Sequence, residues 1–243
     1  MKPFLFLGTR AEAAAADDEY AAVLRFTGLE ERDVHRRRLE NEQLGTVDLE
    51  DWSGIVLGGG PFNISDPFDE KSLVQRRVEA ELHELALAAV AADFPFFGAC
   101  YGIGTLGSLQ GGLVDRTYGE PIGAVTIRQT EEGLADPLFG IMPAAFDAFL
   151  GHKEAVTRMP AGGVLLAGGA ACPVQAFRLG RHVYATQFHP ELDRDGLCLR
   201  IDTYRHHGYF DPPAADQLMR LARESVVTEP PRLLARFVEL YAR

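Results

Sequence analysis

The sequence predicts an α/β fold: a mostly parallel β-sheet with helices on both faces and a mixed or antiparallel extension. Over the first half of the chain, short apolar runs typical of buried strands alternate with segments of helical periodicity. This alternation indicates parallel pairing, because parallel strands need long crossover connections. In the second half, short strand-like runs follow one another with turns between them.

In the first half of the chain, two of the predicted strands are followed by turns with unusual residues. The strands are predicted at residues 4–7, 54–57 and 95–99, and the helices at 17–26, 72–92 and 103–109. Apolar residues recur at steps of three and four through residues 72–92, which makes this the clearest helix. Strand 54–57 ends in three glycines, and strand 95–99 ends at a cysteine. Ligands of such sheets bind beyond the carboxyl ends of the strands, so we expect both turns near a functional site.

The second half continues the sheet and ends in helices. Strands are predicted at residues 122–128, 164–167, 174–179 and 183–188, and helices at 197–206, 214–224 and from Pro230 onward. Gly180 and Arg181 are predicted as a hairpin turn between the last two strands. We predict a single domain over residues 1–243, with a motif core at 54–191 and a helical extension at 192–243.

Composition narrows the function classes. The chain has 243 residues, 47% of them hydrophobic, and a formal net charge of −11, which argues against nucleic-acid binding. It contains no apolar stretch long enough to span a bilayer and no signal-peptide pattern. Its three cysteines show no metal-ligand spacing, so we expect reduced thiols, a cytoplasmic location and no metal. We also expect no cofactor and no membrane partner.

The pentapeptide Gly98-Ala99-Cys100-Tyr101-Gly102 is the most informative motif. Small residues around a cysteine at a strand-to-helix junction allow a sharp turn that exposes the sulfur, as in a nucleophile elbow. The N-terminus of the following helix favours thiolate over thiol. The motif therefore predicts a nucleophile, and the alternative is a buried cysteine acting as a small hydrophobe.

A cysteine nucleophile needs a base and an orienting group. His189 follows a strand-like run, and Glu191 lies two residues further, on the same face of an extended segment. A carboxylate there would hold the imidazole and stabilise its charged form. The alternatives are a surface His-Pro turn or a fragment of a metal site, for which no third ligand has a matching interval.

An oxyanion formed at the cysteine needs hydrogen-bond donors. The N–H of Tyr101 follows the nucleophile directly, and a second donor could come from the triglycine turn at residues 58–60. That turn lacks the lysine of a phosphate-binding loop and the spacing of a dinucleotide fingerprint.

The triglycine turn, the cysteine motif and Gln187-Phe188-His189-Pro190-Glu191 occur in this order between residues 54 and 191. In combination they resemble the class I (triad) glutamine amidotransferases, especially stand-alone proteins similar to the glutaminase domain of GMP synthase. The resemblance implies a flavodoxin-like sheet with added strands. For the chemistry it implies a Cys100–His189–Glu191 triad and oxyanion-hole amides from Gly60 and Tyr101.

The resemblance also suggests substrate contacts, expected at Gly59, Gly104 and His152. The family usually carries a glutamine where this chain has Gly104, so we expect additional room in the pocket there. Residues 152–154 fall where relatives place a histidine-containing loop, and the alternative is a solvated loop. Arg10, after the first strand, either lines the cleft or lies in a loop.

Three functions are compatible with these motifs. The first is a glutaminase that acts through a γ-glutamyl thioester and releases ammonia for a separate synthase, because no acceptor domain follows in this sequence. The second is a γ-glutamyl peptidase or hydrolase that releases an amine. The third is a partner-dependent subunit with little activity alone.

Overall fold

The computed structural model describes residues 1–208 and 210–243. The strands are β1 Phe4–Gly8, β2 Val34–Arg38, β3 Gly54–Leu57, β4 Phe96–Ala99, β5 Leu113–Asp115, β6 Glu120–Gln129, β7 Ala145–His152, β8 Ala155–Arg158, β9 Val164–Gly168, β10 Ala176–Leu179 and β11 Val183–Thr186. The α-helices are α1 Ala13–Thr27, α2 Leu73–Ala91, α3 Tyr101–Gly107, α4 Glu131–Ala135, α5 Arg194–Thr203, α6 Ala215–Glu224 and α7 Pro231–Tyr241.

The large sheet has the order β2-β1-β3-β4-β11-β10-β9-β6-β7. Its first five strands run parallel, in the 2-1-3-4-5 pattern of a flavodoxin-like sheet, and the remaining pairs are antiparallel. The predicted α/β class and its mixed extension are therefore confirmed. The predicted hairpin is confirmed too, since Leu179 pairs with Val183 across Gly180 and Arg181.

Alternation along the central strands explains why both faces of the sheet are covered. In β1, Leu5 and Leu7 point to one face and Phe4 and Phe6 to the other, because successive side chains alternate across a strand. The first face packs on α2, and the second on α1 and α7. Near-continuous apolar runs are typical of strands buried on both faces.

Some elements differ from the sequence prediction. The strand β7 was not predicted. The strand predicted at 174–179 begins at Ala176, next to a register shift. The helix predicted at 197–206 is α5, which starts earlier because the Asp193 side chain accepts a hydrogen bond from the Gly196 N–H.

The carboxyl ends of the parallel strands converge at one edge. Arg10 follows β1, the triglycine turn follows β3, Cys100 follows β4 and His189 follows β11. The helices α5 and α6 pack against β7 through a separate apolar cluster beside this edge. Within the described residues, no helix is both long and apolar enough to cross a membrane. The predicted division into a motif core and a helical extension stays a prediction.

Candidate active site

Cys100 occupies a strained turn between β4 and α3. Its backbone has φ 51° and ψ −89°, in the positive-φ region that residues other than glycine rarely adopt. A Cβ on Gly98 would lie 3.0 Å from the backbone of Gly102, so the turn closes only with a glycine at that position. The sulfur belongs to a half-buried residue at the edge where the parallel strands end. This geometry is that of a nucleophile elbow.

His189 lies between Cys100 and Glu191. It lines the same cavity as Cys100 and interacts electrostatically with that side chain, and its Nδ1 donates to Glu191 Oε1 at 2.8 Å. Burial alone would lower the pKa of His189, but the charges of Glu191 and Cys100 outweigh burial and raise the pKa to about 9. The imidazole therefore holds its proton more strongly than a free histidine does.

Glu191 is buried and ionised. Burial favours its neutral form, yet His189 and Arg200 together hold the pKa of this carboxyl well below its usual range. Arg200, on α5, donates from Nη2 to Glu191 Oε1 at 3.0 Å. The carboxylate thus orients the imidazole and is itself held by a buried guanidinium.

Sequence reasoning missed the ion pairs behind this carboxylate. Glu19 Oε1 accepts hydrogen bonds from Arg10 Nε at 3.0 Å and from the Gly59 N–H at 3.2 Å, and it lies 3.5 Å from Arg200 Nη2. Glu19 therefore links the triglycine turn to the arginine that holds Glu191. All three charged side chains are buried.

A sequence signal for this network exists. Glu19 shares the buried face of α1 with Ala15, Ala16, Ala22 and Val23, at steps of three and four. A charged residue on an otherwise apolar helix face is rarely buried without a partner. Arg200 is likewise a charged residue on the buried face of α5. Arg10, for which a cleft or a loop position was left open, lies buried in the site.

Gly60 and Tyr101, the residues of the predicted oxyanion-hole amides, line a small cavity together with Cys100. Among residues 1–208 and 210–243, neither the Tyr101 N–H nor the Gly60 N–H donates to another group of the protein. A Cβ on Gly59 would lie 2.6 Å from His189 Cε1, so the turn approaches the imidazole more closely than a side chain allows. The role of the two amides stays a prediction. The contact predicted for Gly59 also stays one, and its amide is occupied by Glu19.

Two expectations about the pocket are wrong. Gly104 leaves no added room, because a Cβ there would lie 3.1 Å from Glu154 Oε1 and 3.2 Å from Ile64 Cγ1. The Glu154 carboxylate accepts from the Ile64 and Ser65 amides and fills this space. The substrate contact predicted for Gly104 itself stays a prediction.

The second wrong expectation is the solvated loop at residues 152–154, because His152 does not lie in one. It ends β7 and is buried, with Nδ1 donating to the Glu154 carbonyl at 2.8 Å and Nε2 3.1 Å from Glu120 Oε2. Its ring borders a small cavity at Cys100 and Tyr101. Its predicted contact with substrate stays a prediction.

One group of side chains has the composition of a metal site. Ligand atoms of Glu120, His152 and Cys172 lie within 4.8 Å of one another. Hydrogen bonds already engage the group: Cys172 donates to the Val174 carbonyl, and burial raises the pKa of this thiol to about 11. A zinc site needs thiolate and ligands at about 2.0–2.3 Å from the ion. The expectation that the chain binds no metal stays a prediction.

The fold and this arrangement define a class of protein: a flavodoxin-like α/β protein with a cysteine at an elbow, joined through a histidine to a buried carboxylate. A family model described as "Glutamine amidotransferase class-I" matches residues 23–195. The chain therefore belongs to the class-I glutamine amidotransferase family and is an enzyme of that family.

Relatives agree with this assignment. The chain is 28% identical over 182 residues to a protein of Methanoculleus marisnigri named as a subunit of "GMP synthase [glutamine-hydrolyzing]", covering 70% of this chain and 88% of that protein. It is 30% identical over 154 residues to "GMP synthase [glutamine-hydrolyzing]" of Pseudomonas aeruginosa (strain LESB58). That match covers 61% of this chain and 27% of the larger protein.

Solved structures share the fold along the whole chain. A glutamine amidotransferase from Thermotoga maritima matches with a TM-score of 0.75 at 18% identity, covering 100% of this chain and 99% of that one. A glutamine amido transferase from Methylobacillus flagellatus matches with a TM-score of 0.69 at 18% identity, covering 98% of this chain and 95% of that one. At this identity the likeness shows the fold alone.

Proposed function

We propose that the chain hydrolyses the side-chain amide of glutamine through a γ-glutamyl thioester on Cys100. The observation that carries this proposal is the arrangement of Cys100 and His189 at one cavity, with His189 hydrogen-bonded to Glu191 and with two nearby backbone amides that have no partner among the described residues. These are the parts that acyl transfer through a cysteine requires.

In the proposed reaction, His189 holds the proton of the Cys100 thiol as an imidazolium, and Cys100 Sγ attacks the γ-carbonyl carbon as the thiolate. The oxyanion of the tetrahedral intermediate accepts hydrogen bonds from the Gly60 and Tyr101 amides. The C–N bond then breaks, and His189 gives its proton to the departing ammonia. Water, deprotonated by His189, attacks the thioester and releases glutamate. Glu191 keeps the imidazole oriented and stabilises its charge.

We further propose that a separate synthase consumes the ammonia. The Methanoculleus relative is named as one subunit of its synthase and is matched over 88% of its length, which supports a two-protein arrangement. Cys100, His189 and Glu191 lie within one chain, and the Gly60 and Tyr101 amides have no partner among the described residues, which supports activity without a second protein. This distinguishes the proposal from a subunit that is idle alone.

Glutamate release from glutamine tests the proposal. We expect Cys100→Ala to lose activity by at least about 10³-fold, because removal of a nucleophile leaves little more than binding and oxyanion stabilisation. The matched control is Cys198→Ala, on the buried side of α5 and outside the triad, which we expect to retain activity. Turnover of glutamine by Cys100→Ala at the wild-type rate would refute the mechanism.

A further inference from the structure

The triglycine turn at residues 58–60 is held by side chains on both sides of Gly59. On one side, the Gly59 N–H donates to Glu19 Oε1 at 3.2 Å. On the other side, the Gly59 carbonyl accepts a hydrogen bond from Thr9 Oγ1, also at 3.2 Å. Thr9 directly follows β1, and both Thr9 and Glu19 are buried. Each of the two peptide groups that meet at Gly59 therefore has a fixed partner inside the protein.

The hydrogen bond from Thr9 also sets the direction of the Gly60 N–H. This N–H and the Gly59 carbonyl belong to one planar peptide group, and in a trans peptide they point in opposite directions. The described residues contain no cis peptide bond. Because Thr9 is fully buried and holds the carbonyl, the Gly60 N–H points away from that interior side. Gly60 is partly exposed and lines both cavities at Cys100, so its N–H is directed toward the thiol side.

The glycines of the turn permit this contact but do not fix the peptide themselves. A Cβ on Gly60 would overlap the Thr9 hydroxyl, so the hydroxyl reaches the turn only because residue 60 is glycine. Three successive glycines also leave the backbone dihedral angles of the turn weakly restrained. The direction of the Gly59–Gly60 peptide must therefore be set by tertiary contacts, and the Thr9 hydroxyl is the group that its carbonyl accepts from.

We propose that Thr9 is a positioning residue for the reaction, whose hydroxyl holds the Gly59–Gly60 peptide with the Gly60 N–H facing the oxyanion. The inference rests on the proposed function, which assigns this N–H to the oxyanion, and it adds a residue that acts through the peptide. The oxyanion exists in the tetrahedral intermediates and not in bound glutamine. A misdirected N–H should therefore slow the chemical steps and leave substrate binding unchanged.

Removal of the Thr9 hydroxyl tests the proposal. We expect Thr9→Val to lower kcat for glutamate release from glutamine by about 10–10²-fold, less than the 10²–10³-fold that loss of a whole oxyanion donor costs. KM should stay within about twofold of the wild-type value, because the lost interaction is made in the transition state. Thr9→Ala also lacks the hydroxyl but cannot crowd Gly60, and it should lower kcat in the same way. A wild-type kcat in either variant would overturn the inference.

Thr9→Ser is the conservative variant, because it keeps the hydroxyl and loses only the methyl group. It should retain kcat within about threefold of wild type, since the peptide keeps its hydrogen-bond donor. If Thr9→Val fails to fold, the ratio of kcat between Thr9→Ser and Thr9→Ala gives the same information. Equal kcat values in these two variants would overturn the role of the hydroxyl.

The matched control is Thr130→Val, which removes a hydroxyl that donates to a backbone carbonyl elsewhere in the sheet. Thr130 follows β6, and its Oγ1 donates to the Leu165 carbonyl on β9 at 2.7 Å. We expect this variant to lower Tm and leave kcat unchanged. A Thr9→Val protein that behaves like the control, or that raises KM at constant kcat, would overturn a positioning role for Thr9.

Failure of this inference differs visibly from failure of the proposed function. Wild-type protein that releases no glutamate from glutamine would refute the proposed function. Wild-type protein that hydrolyses glutamine, together with Thr9 variants that match its kcat, would refute the role of Thr9 alone.

Discussion

In the parallel half of the sheet, β1, β3, β4 and β11 each end at a residue or turn of the candidate site. In the antiparallel half, β6 and β7 contribute Ile122 and Leu150 to the wall beside it. The parallel half thus places the candidate catalytic residues, because all its carboxyl ends meet at one edge. The antiparallel half and α5 shape the space around them. Chemistry and selectivity are therefore expected to respond to different substitutions.

The largest expected effect lies at the end of β11. We expect His189→Asn to lower kcat for glutamine by about 10³–10⁴-fold or more, because the variant lacks the base that moves the thiol proton. The matched control is His182→Asn at the opposite end of the same strand, where the ring bonds to the Tyr241 hydroxyl. Equal losses in both variants would indicate damage to the strand instead of loss of a base.

A smaller effect is expected from Arg200, the arginine that pairs with Glu191. We expect Arg200→Gln to lower kcat by about 10–10²-fold, because two buried carboxylates lose their shared partner. Without the nearby positive charge, the pKa of His189 should rise, and the limb of the pH profile that reports it should move to higher pH.

Two further variants separate positioning from folding. Arg200→Lys keeps the charge and should restore part of kcat, whereas Arg205→Gln removes an arginine paired at the surface and should change neither kcat nor the pH profile. An unchanged pH profile in Arg200→Gln would contradict a positioning role.

Stability should depend on pH through His189. Its pKa is raised in the folded state to about 9, so its contribution is fully present below about pH 6.5 and is lost as pH rises toward 9. The loss is on the order of 2–4 kcal/mol. Denaturant unfolding at pH 6 and pH 9 measures it, and His189→Asn should show a smaller difference between the two. The same difference in both proteins would contradict the assignment.

The smallest expected effect concerns Gly104, which lies close to Glu154 and Ile64. Gly104→Ala must displace Glu154 or Ile64 by a few tenths of an ångström, which should cost about 1 kcal/mol and lower Tm by about 2–4 °C. Gly123→Ala on β6 is the control, since a Cβ there meets nothing within 4 Å. A Gly104→Ala protein as stable as the Gly123→Ala protein would show that the neighbours give way freely.

The sequence predicted what depends on local pattern. Cys100, His189 and Glu191 stand in short motifs, and their strands and flanking turns carry strong local signals, so the sequence alone predicts that the three residues meet. Strand β7 escaped prediction because its position depends on pairing with β6, a contact between segments that local patterns do not specify.

The ion pairs of Glu19 and the filling of the space beside Gly104 were not predicted, for a similar reason. Arg200 is 181 residues from Glu19, and Glu154 is 90 residues from the Ile64 amide that it accepts from. Tertiary packing brings these groups together, so no spacing along the chain indicates them. The charged residues Glu19 and Arg200 on buried helix faces were the one sequence signal for these ion pairs.

The most direct test of the account is to look for the acyl intermediate. Wild-type protein mixed with glutamine and quenched rapidly in acid should carry a γ-glutamyl group, and peptide mapping by mass spectrometry should place it on Cys100. His189→Asn should not accumulate it. Glutamate release with no adduct on Cys100 at any quench time, or an adduct on Cys172 or Cys198 instead, would contradict the central claim that this sulfur is the nucleophile.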